Sequence, residues 1–380
     1  MTRRLLDLAQ SALPDLVQEV TAVCEIAAPT FEEFGRTEYV RRRMSELGLT
    51  EVTTDEIGNV VGRCPGTGGG PTILLAAHID TVFPLETDVQ VRTDGEILRA
   101  PGVGDNSASV ATMLQVIRLL LASEVTLSGD LLFAATVGEE GLGNLRGIRK
   151  VMDTYGDQVD YVIALDGSLG SLVRQGVGSR RFRLVVRGDG GHSWGAFGTP
   201  SAIHGLGRMI AQISELRVPT HPKTTFNVGT ISGGTSVNTI AARAEAVIDL
   251  RSLDVDELRR LEERVRRIAS DVCRHMGVSA EFELLGDRPV GMISDDHPLC
   301  QVVRRVHQHM GIQTRSYPSS TDSNVPLSMG IPAVTIGVTL GGNGHRTDEY
   351  IHTAPLTRGL GQILLLLLAA QQLPVRVRTM

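Results

Sequence analysis

Thr72-Ile73-Leu74-Leu75-Ala76-Ala77-His78-Ile79-Asp80-Thr81-Val82-Phe83-Pro84 is the stretch that decides the fold. Its opening run is too short for a helix and too apolar for a loop, so it reads as a buried strand. His78 and Asp80 close the run two residues apart, and on extended backbone they project to one face. An imidazole and a carboxylate thus stand together at the tip of a core strand, where an open α/β sheet places its ligands.

The pattern recurs along the chain. Leu131 to Val137 is a second apolar run, followed by Gly138-Glu139-Glu140-Gly141. Tyr161 to Leu165 is a third and ends in Asp166-Gly167-Ser168. Ala333 to Gly337 is a fourth and leads into Gly341-Gly342-Asn343-Gly344-His345. Between the first two lies Gly102-Val103-Gly104-Asp105-Asn106-Ser107, just ahead of a helical pattern. Metal-ligand residue types gather at strand ends and at the loops beside them.

Composition narrows the class. A chain of 380 residues is long enough for two domains, and 42% hydrophobic with 21% charged residues is ordinary for a globular protein. A formal charge of -6 and 4% aromatic residues leave neither a basic footprint nor a stacking surface for nucleic acid. Cys24, Cys64, Cys273 and Cys300 form no C-x-x-C pair, which argues against a thiolate zinc site and for reduced thiols. The longest apolar run, Ile363 to Ala370, is too short to span a bilayer. The expectation is a cytoplasmic protein without membrane or nucleic-acid partners.

Taken in order, Leu5 to Ala27 has helical spacing, and Thr30 with Glu33 has the spacing of a capping box for a helix running to about Leu47. Gly48 is placed to end that helix. Ser107 is the expected N-cap of a helix whose buried face is Val110, Met113, Leu114, Val116, Ile117 and Leu120. From about Gly176 the texture changes to alternating strands at 181–187, 225–231 and 242–251, helices at 202–216 and after Asp254, and a strand at 280–285. That β-α-β-β-α-β order predicts a ferredoxin-like α+β layer inserted into an α/β sandwich. The expected division is a catalytic domain over 1–177 and 291–380, interrupted by a smaller domain over 178–290.

The candidates His78, Asp80, Asp105, Glu139, Glu140, Asp166 and His345 are imidazoles and carboxylates with no thiolate. That set suits catalytic zinc, with cobalt or manganese as alternatives. A carboxylate shared between two metals, each completed by one His and one acid, makes a two-metal hydrolase core. Asp105, in its glycine-flanked loop, is the expected bridge. One of Glu139 and Glu140 ligates while the other acts as general base. Asp80 is expected to accept the far N–H of His78 and fix its tautomer.

On these ordered motifs, which span nearly the whole chain, the sequence resembles the M20 metallopeptidases. That family includes peptidase T-type tripeptidases, carboxypeptidase G2-type enzymes and deacylases of acetylornithine and succinyl-diaminopimelate. The resemblance implies an α/β/α di-metal domain with an inserted lid and dimerisation domain. It implies one metal on His78, Asp105 and Asp166, a second on Asp105, Glu140 and His345, and Glu139 as the base. It implies that His192, in Gly191-His192-Ser193, is the lid His that in dimeric members reaches the partner's site and holds the oxyanion. Asn238 and Arg251 match the residues that hold the substrate's carboxylate or tetrahedral centre, a task for which the guanidinium fork is suited. The Gly104-Asp105-Asn106-Ser107 loop departs from the deacylase pattern, and Ser320-Thr321-Asp322-Ser323-Asn324 is similar to peptidase T-like members. The expected function is hydrolysis of small peptides by a metal-activated water, with N-acyl amino acid deacylation as the alternative. A phosphoesterase and a metal-free binding protein on the same scaffold are the readings from other classes.

Overall fold

The computed structural model describes residues 2–123 and 125–377. The chain forms two compact units, one from the segments before Val177 and after Val290, the other from Val177–Val290. In chain order, the first unit opens with α1 (Thr2–Ser11), α2 (Leu13–Cys24), α3 (Phe34–Leu47), β1 (Thr50–Thr54), β2 (Val60–Cys64) and β3 (Ile73–His78). It continues with α4 (Ala108–Ala122), β4 (Leu131–Thr136), α5 (Arg146–Tyr155) and β5 (Tyr161–Leu169). The second unit holds β6 (Gly178–Arg187), α6 (Ala202–Ser214), β7 (Thr224–Gly233), β8 (Arg243–Ser252), α7 (Val255–Met276) and β9 (Ser279–Arg288). The chain returns to the first unit with α8 (Pro298–His309), β10 (Ala333–Gly337) and α9 (Leu356–Ala370).

The first unit's sheet has the order β1-β2-β4-β3-β5-β10. Four strands, β4, β3, β5 and the edge strand β10, run parallel, and β1 and β2 add antiparallel at the other edge. Every residue of β3 and β4 is buried, because helices cover both faces. Alternate side chains serve opposite faces: Ile73, Leu75 and Ala77 join the cluster with α2, α4, α8 and α9, while Leu74 and Ala76 join the one with α5. This is the α/β/α sandwich expected from the apolar runs. Parallel alignment brings the carboxyl ends of β3, β4 and β5 to one edge, so His78, Glu139, Glu140 and Asp166 emerge together.

The second unit's sheet is antiparallel in the order β7-β8-β6-β9, with α6 and α7 packed on one face through Leu206, Met209, Leu258, Leu261 and Val265. It is the ferredoxin-like layer. Asp254 caps α7 as expected, its carboxylate accepting the N–H groups of Asp256 and Glu257.

Three local expectations fail for identifiable reasons. The predicted helix over 5–27 is two helices, because Pro14 takes the first turn of α2 and the chain breaks at Ala12. The capping box is not formed: Thr30 donates its hydroxyl to Asp80 and Glu33 pairs with Arg146, so neither side chain turns back on α3. Ser107 does not cap α4, since its hydroxyl donates to the carbonyl of Gly102 at 2.6 Å. Gly48 ends α3 in the left-handed conformation with φ 94°. Among the described residues no helix is long and apolar enough to cross a membrane.

Candidate metal centre

His78 is the last residue of β3 and is buried. Its Nδ1 lies 3.1 Å from the backbone oxygen of Asp80, so Nδ1–H donates there and Nε2 faces Asp105 Oδ1 at 3.2 Å. Arg36, buried beneath, donates to the carbonyl of Ile79 at 3.0 Å and so fixes the backbone between His78 and Asp80. Asp105 Oδ2 lies 3.1 Å from His345 Nε2, and that nitrogen lies 3.0 Å from Glu140 Oε1. Donor atoms of His78, Asp105 and Asp166 fall within 4.8 Å of one another, as do those of Asp105, Glu140 and His345. Asp105 belongs to both triads. A third group, His78 with Glu139 and Glu140, meets the same limit.

Asp80 has further partners besides the His78 expected of it. Its carboxylate is fully buried; Oδ1 accepts the N–H of Glu139 and Oδ2 that of Glu140, each at 2.9 Å, and Oδ2 also accepts the Thr30 hydroxyl at 2.8 Å. With its oxygens so engaged, Oδ1 stays 3.6 Å from His78 Nδ1, and the backbone oxygen of Asp80 is the nearer acceptor. Asp80 therefore pins the backbone of the Glu139-Glu140 pair.

The residues fit a cation. Among the described residues, His78 Nε2 and Asp105 Oδ1 are buried 3.2 Å apart with no other partner, an imidazole nitrogen and a carboxylate oxygen facing one another. Burial and the neighbouring Asp105 charge push the Asp166 carboxyl up to about 7, the mark of carboxylates repelling one another. Donating to the Asp105 and Glu140 carboxylates pushes His345 up to about 10. Burial opposes charge on His78, but Asp105 and Asp80 outweigh it and hold this imidazole well above its ordinary range. The excess negative charge thus recruits protons onto two imidazoles, where a divalent cation would replace them.

A cavity of about 170 Å³ adjoins Asp105 and Asp166 and is lined also by Gly341, Gly342 and Tyr350. Glu349 lines it too and accepts three backbone N–H groups of the Asp105 loop. Glu349 is not among the residues singled out from the sequence, whose last motif ends at His345. The available signal was an acid four residues beyond a ligand-type His.

His192 and Asn238 lie together in the second unit: His192 pairs with Thr239, and Ser193 N–H donates to the Asn238 carbonyl at 3.0 Å. His192 Nδ1 accepts the N–H of Trp194 at 3.2 Å, so the neutral ring carries its proton on Nε2, a donor facing outward. Arg251 is elsewhere. Gly234 N–H bonds the carbonyl of Arg243 at one end of β8, whereas Arg251 sits at the other end, paired with Asp249 at 2.7 Å. Arg251 lies eight residue steps from Arg243 along the strand, on the order of 25 Å at the usual rise. Asn238 thus belongs to the loop at the Arg243 end of β8, and Arg251 to the opposite end.

A mixed sheet whose carboxyl edge gathers two imidazoles and several carboxylates around one shared aspartate defines a metal-dependent hydrolase. Residues 74–369 match the peptidase family M20/M25/M40, and the chain belongs to that family. It is 24% identical over 347 residues to the uncharacterized protein YqjE of Bacillus subtilis (strain 168), covering 85% of this chain and 90% of that one. Thermostable carboxypeptidase 2 of Saccharolobus solfataricus is 25% identical over 275 residues, 68% of each chain. A tripeptidase from Staphylococcus aureus subsp. aureus Mu50 shares the fold with a TM-score of 0.82 at 22% identity, covering 95% of this chain and 99% of that chain.

Proposed function

We propose that this enzyme hydrolyses amide bonds of small peptides at a site holding two divalent metal ions, with zinc the expected metal and cobalt or manganese the alternatives. The observation that carries the reading is the pair of triads sharing Asp105, with Glu139 beside them. His78, Asp105 and Asp166 would hold one ion, and Asp105, Glu140 and His345 the other. When bound, the ions supply Lewis acidity that polarises the scissile carbonyl and acidifies a water. Glu139 takes the proton of the attacking water and passes it to the leaving amine. Asp80 keeps Glu139 in place through its backbone N–H. His192 offers its Nε2–H to the developing oxyanion, and Asn238 and Arg251 bind the substrate's polar groups.

The distance between Asn238 and Arg251 supports a homodimer through the inserted domain, acting as lid, because both can then meet one substrate from two chains. The exposed side chains of Trp194, Phe197 and Val237, on the same segments as His192 and Asn238, support a covered surface there. Four free cysteines support a cytoplasmic location. The tripeptidase and carboxypeptidase relatives favour peptides over N-acyl amino acids, which remain the second reading on the resemblance to the deacylases.

The test is chelator-stripped protein reloaded with Zn²⁺, Co²⁺ or Mn²⁺ and assayed on di- and tripeptides and N-acyl amino acids, beside a chelated control. Chelator-sensitive cleavage of free-amine peptides supports the proposal. Cleavage of N-acyl substrates alone selects the second reading. Phosphatase activity without amidase activity overturns both, and no cleavage with no metal uptake points to a binding protein.

A further inference from the structure

One carboxylate holds the whole loop that carries Asp105. Glu349 is 2% exposed. Its Oε1 accepts the backbone N–H groups of Gly104 and Asp105, each at 2.8 Å, and its Oε2 accepts that of Gly102 at 3.0 Å. Its backbone oxygen accepts the N–H of Ala100 at 3.1 Å. Three backbone N–H groups converging on one buried carboxyl fix a loop firmly, because each of those donors would otherwise be stranded away from water. The glycines make this approach feasible: Gly102 has φ 74°, and a Cβ on Gly104 would lie 2.9 Å from Glu349 Oε1.

Glu349 is also tied to the other side of the centre. It follows His345 by four residues, and the chain between them is braced by Arg346 and Asn343, both bonded to Asp348. The carboxylate that grips the Asp105 loop therefore belongs to the segment that carries His345. Asp105 and His345 stand 3.1 Å apart across that junction. With both oxygens turned to backbone N–H groups, Glu349 joins none of the ligand clusters.

We propose that Glu349 is a positioning residue, setting the separation of Asp105 from His345 and hence the place of the shared ligand; the inference rests on the two-metal reading above. It acts through the backbone of the Asp105 loop, which its carboxyl oxygens face. In Glu349→Gln the shape persists, but the amide nitrogen must face a loop N–H, donor against donor, and the loop shifts.

The test titrates chelator-stripped wild type and E349Q with Co²⁺ by calorimetry, records the visible absorption of the loaded proteins, and measures kcat and KM at saturating Co²⁺. The expected result is binding of at least one Co²⁺ weakened about 10–100-fold, an altered Co²⁺ spectrum, and a fall in kcat with KM held within about two-fold. Two Co²⁺ bound by E349Q with wild-type affinity and spectrum overturns the inference alone. A wild type that takes up no Co²⁺ overturns the metal reading and this inference with it. Should E349Q not fold, E349D, which keeps the charge and loses one methylene of reach, is titrated instead, and wild-type affinity for two Co²⁺ there overturns the inference.

Discussion

Asp80→Asn separates the structural work of this buried carboxylate from that of its neighbours. The wild-type group accepts the N–H groups of Glu139 and Glu140 at 2.9 Å each and the Thr30 hydroxyl at 2.8 Å. Asparagine has the same shape but one oxygen fewer. Its amide oxygen can serve Glu140 and Thr30, which leaves its NH₂ against the N–H of Glu139. One bond to a charged acceptor is lost, about 1.5–3 kcal/mol, and a buried donor is stranded, about 1–3 kcal/mol. A total of about 2.5–6 kcal/mol is a large share of a typical stability of about 5–15 kcal/mol. At about 2 °C per kcal/mol, the metal-free variant should melt roughly 5–12 °C below wild type in calorimetry. A displaced Glu139 should also lower turnover at saturating Co²⁺ by about 10²-fold. A variant melting within about 2 °C of wild type, with turnover unchanged within about three-fold, would refute the claim that Asp80 pins the pair.

Glu139→Ala should retain both metals by elemental analysis yet lose about 10²–10⁴-fold in turnover, whereas Glu140→Ala should lose metal; retained activity in the first would remove Glu139 as base. Chelation should lower the melting temperature, and Co²⁺ at about 100 times its Kd should restore about 2.7 kcal/mol, read in thermal denaturation. His307 is buried, with Nδ1 2.8 Å from Thr314 Oγ1 and Nε2 3.0 Å from Gln362 Oε1. Burial holds it below its ordinary pKa, so the unfolded chain binds the proton more readily. Its contribution is therefore complete above the unfolded value of about 6.5 and falls as pH drops through that value towards the folded one. His307→Gln should flatten this part of the stability–pH curve between about pH 7.5 and pH 5.

The sheet was legible because its central strands are buried on both faces and so appear as unbroken apolar runs. The chemistry stood at their ends, where polar residues interrupt such runs abruptly. His78, Asp105, Glu139, Glu140, Asp166 and His345 could thus be singled out from the sequence, and the fold brings them together. What stayed hidden is the choice each polar side chain makes between local and distant partners. Thr30 and Glu33 have capping-box spacing, but Asp80 and Arg146 offer stronger partners that only the folded chain supplies. Ser107 is similar, closing its own loop on Gly102 instead of capping α4. Asp348 and Glu349 are adjacent acids, and no pattern in the sequence tells which is buried against the Asp105 loop and which pairs with Arg346 at the surface. The break near Ala12 did have a signal, since Pro14 belongs in a first turn and not in a helix interior.

The division of the chain has a consequence for its synthesis. Val177–Val290 is continuous, so its sheet can close as soon as that stretch has left the ribosome. The other unit is split around it. Its outer strand β10 pairs with β5 only after the whole insertion has been made, and Asp105 meets His345 across 240 residues. Four of the five proposed ligands are translated before the insertion and one after it. During translation the nascent chain therefore carries a finished smaller unit beside a larger one still lacking its edge strand and last imidazole, and the paired-metal centre is assembled last.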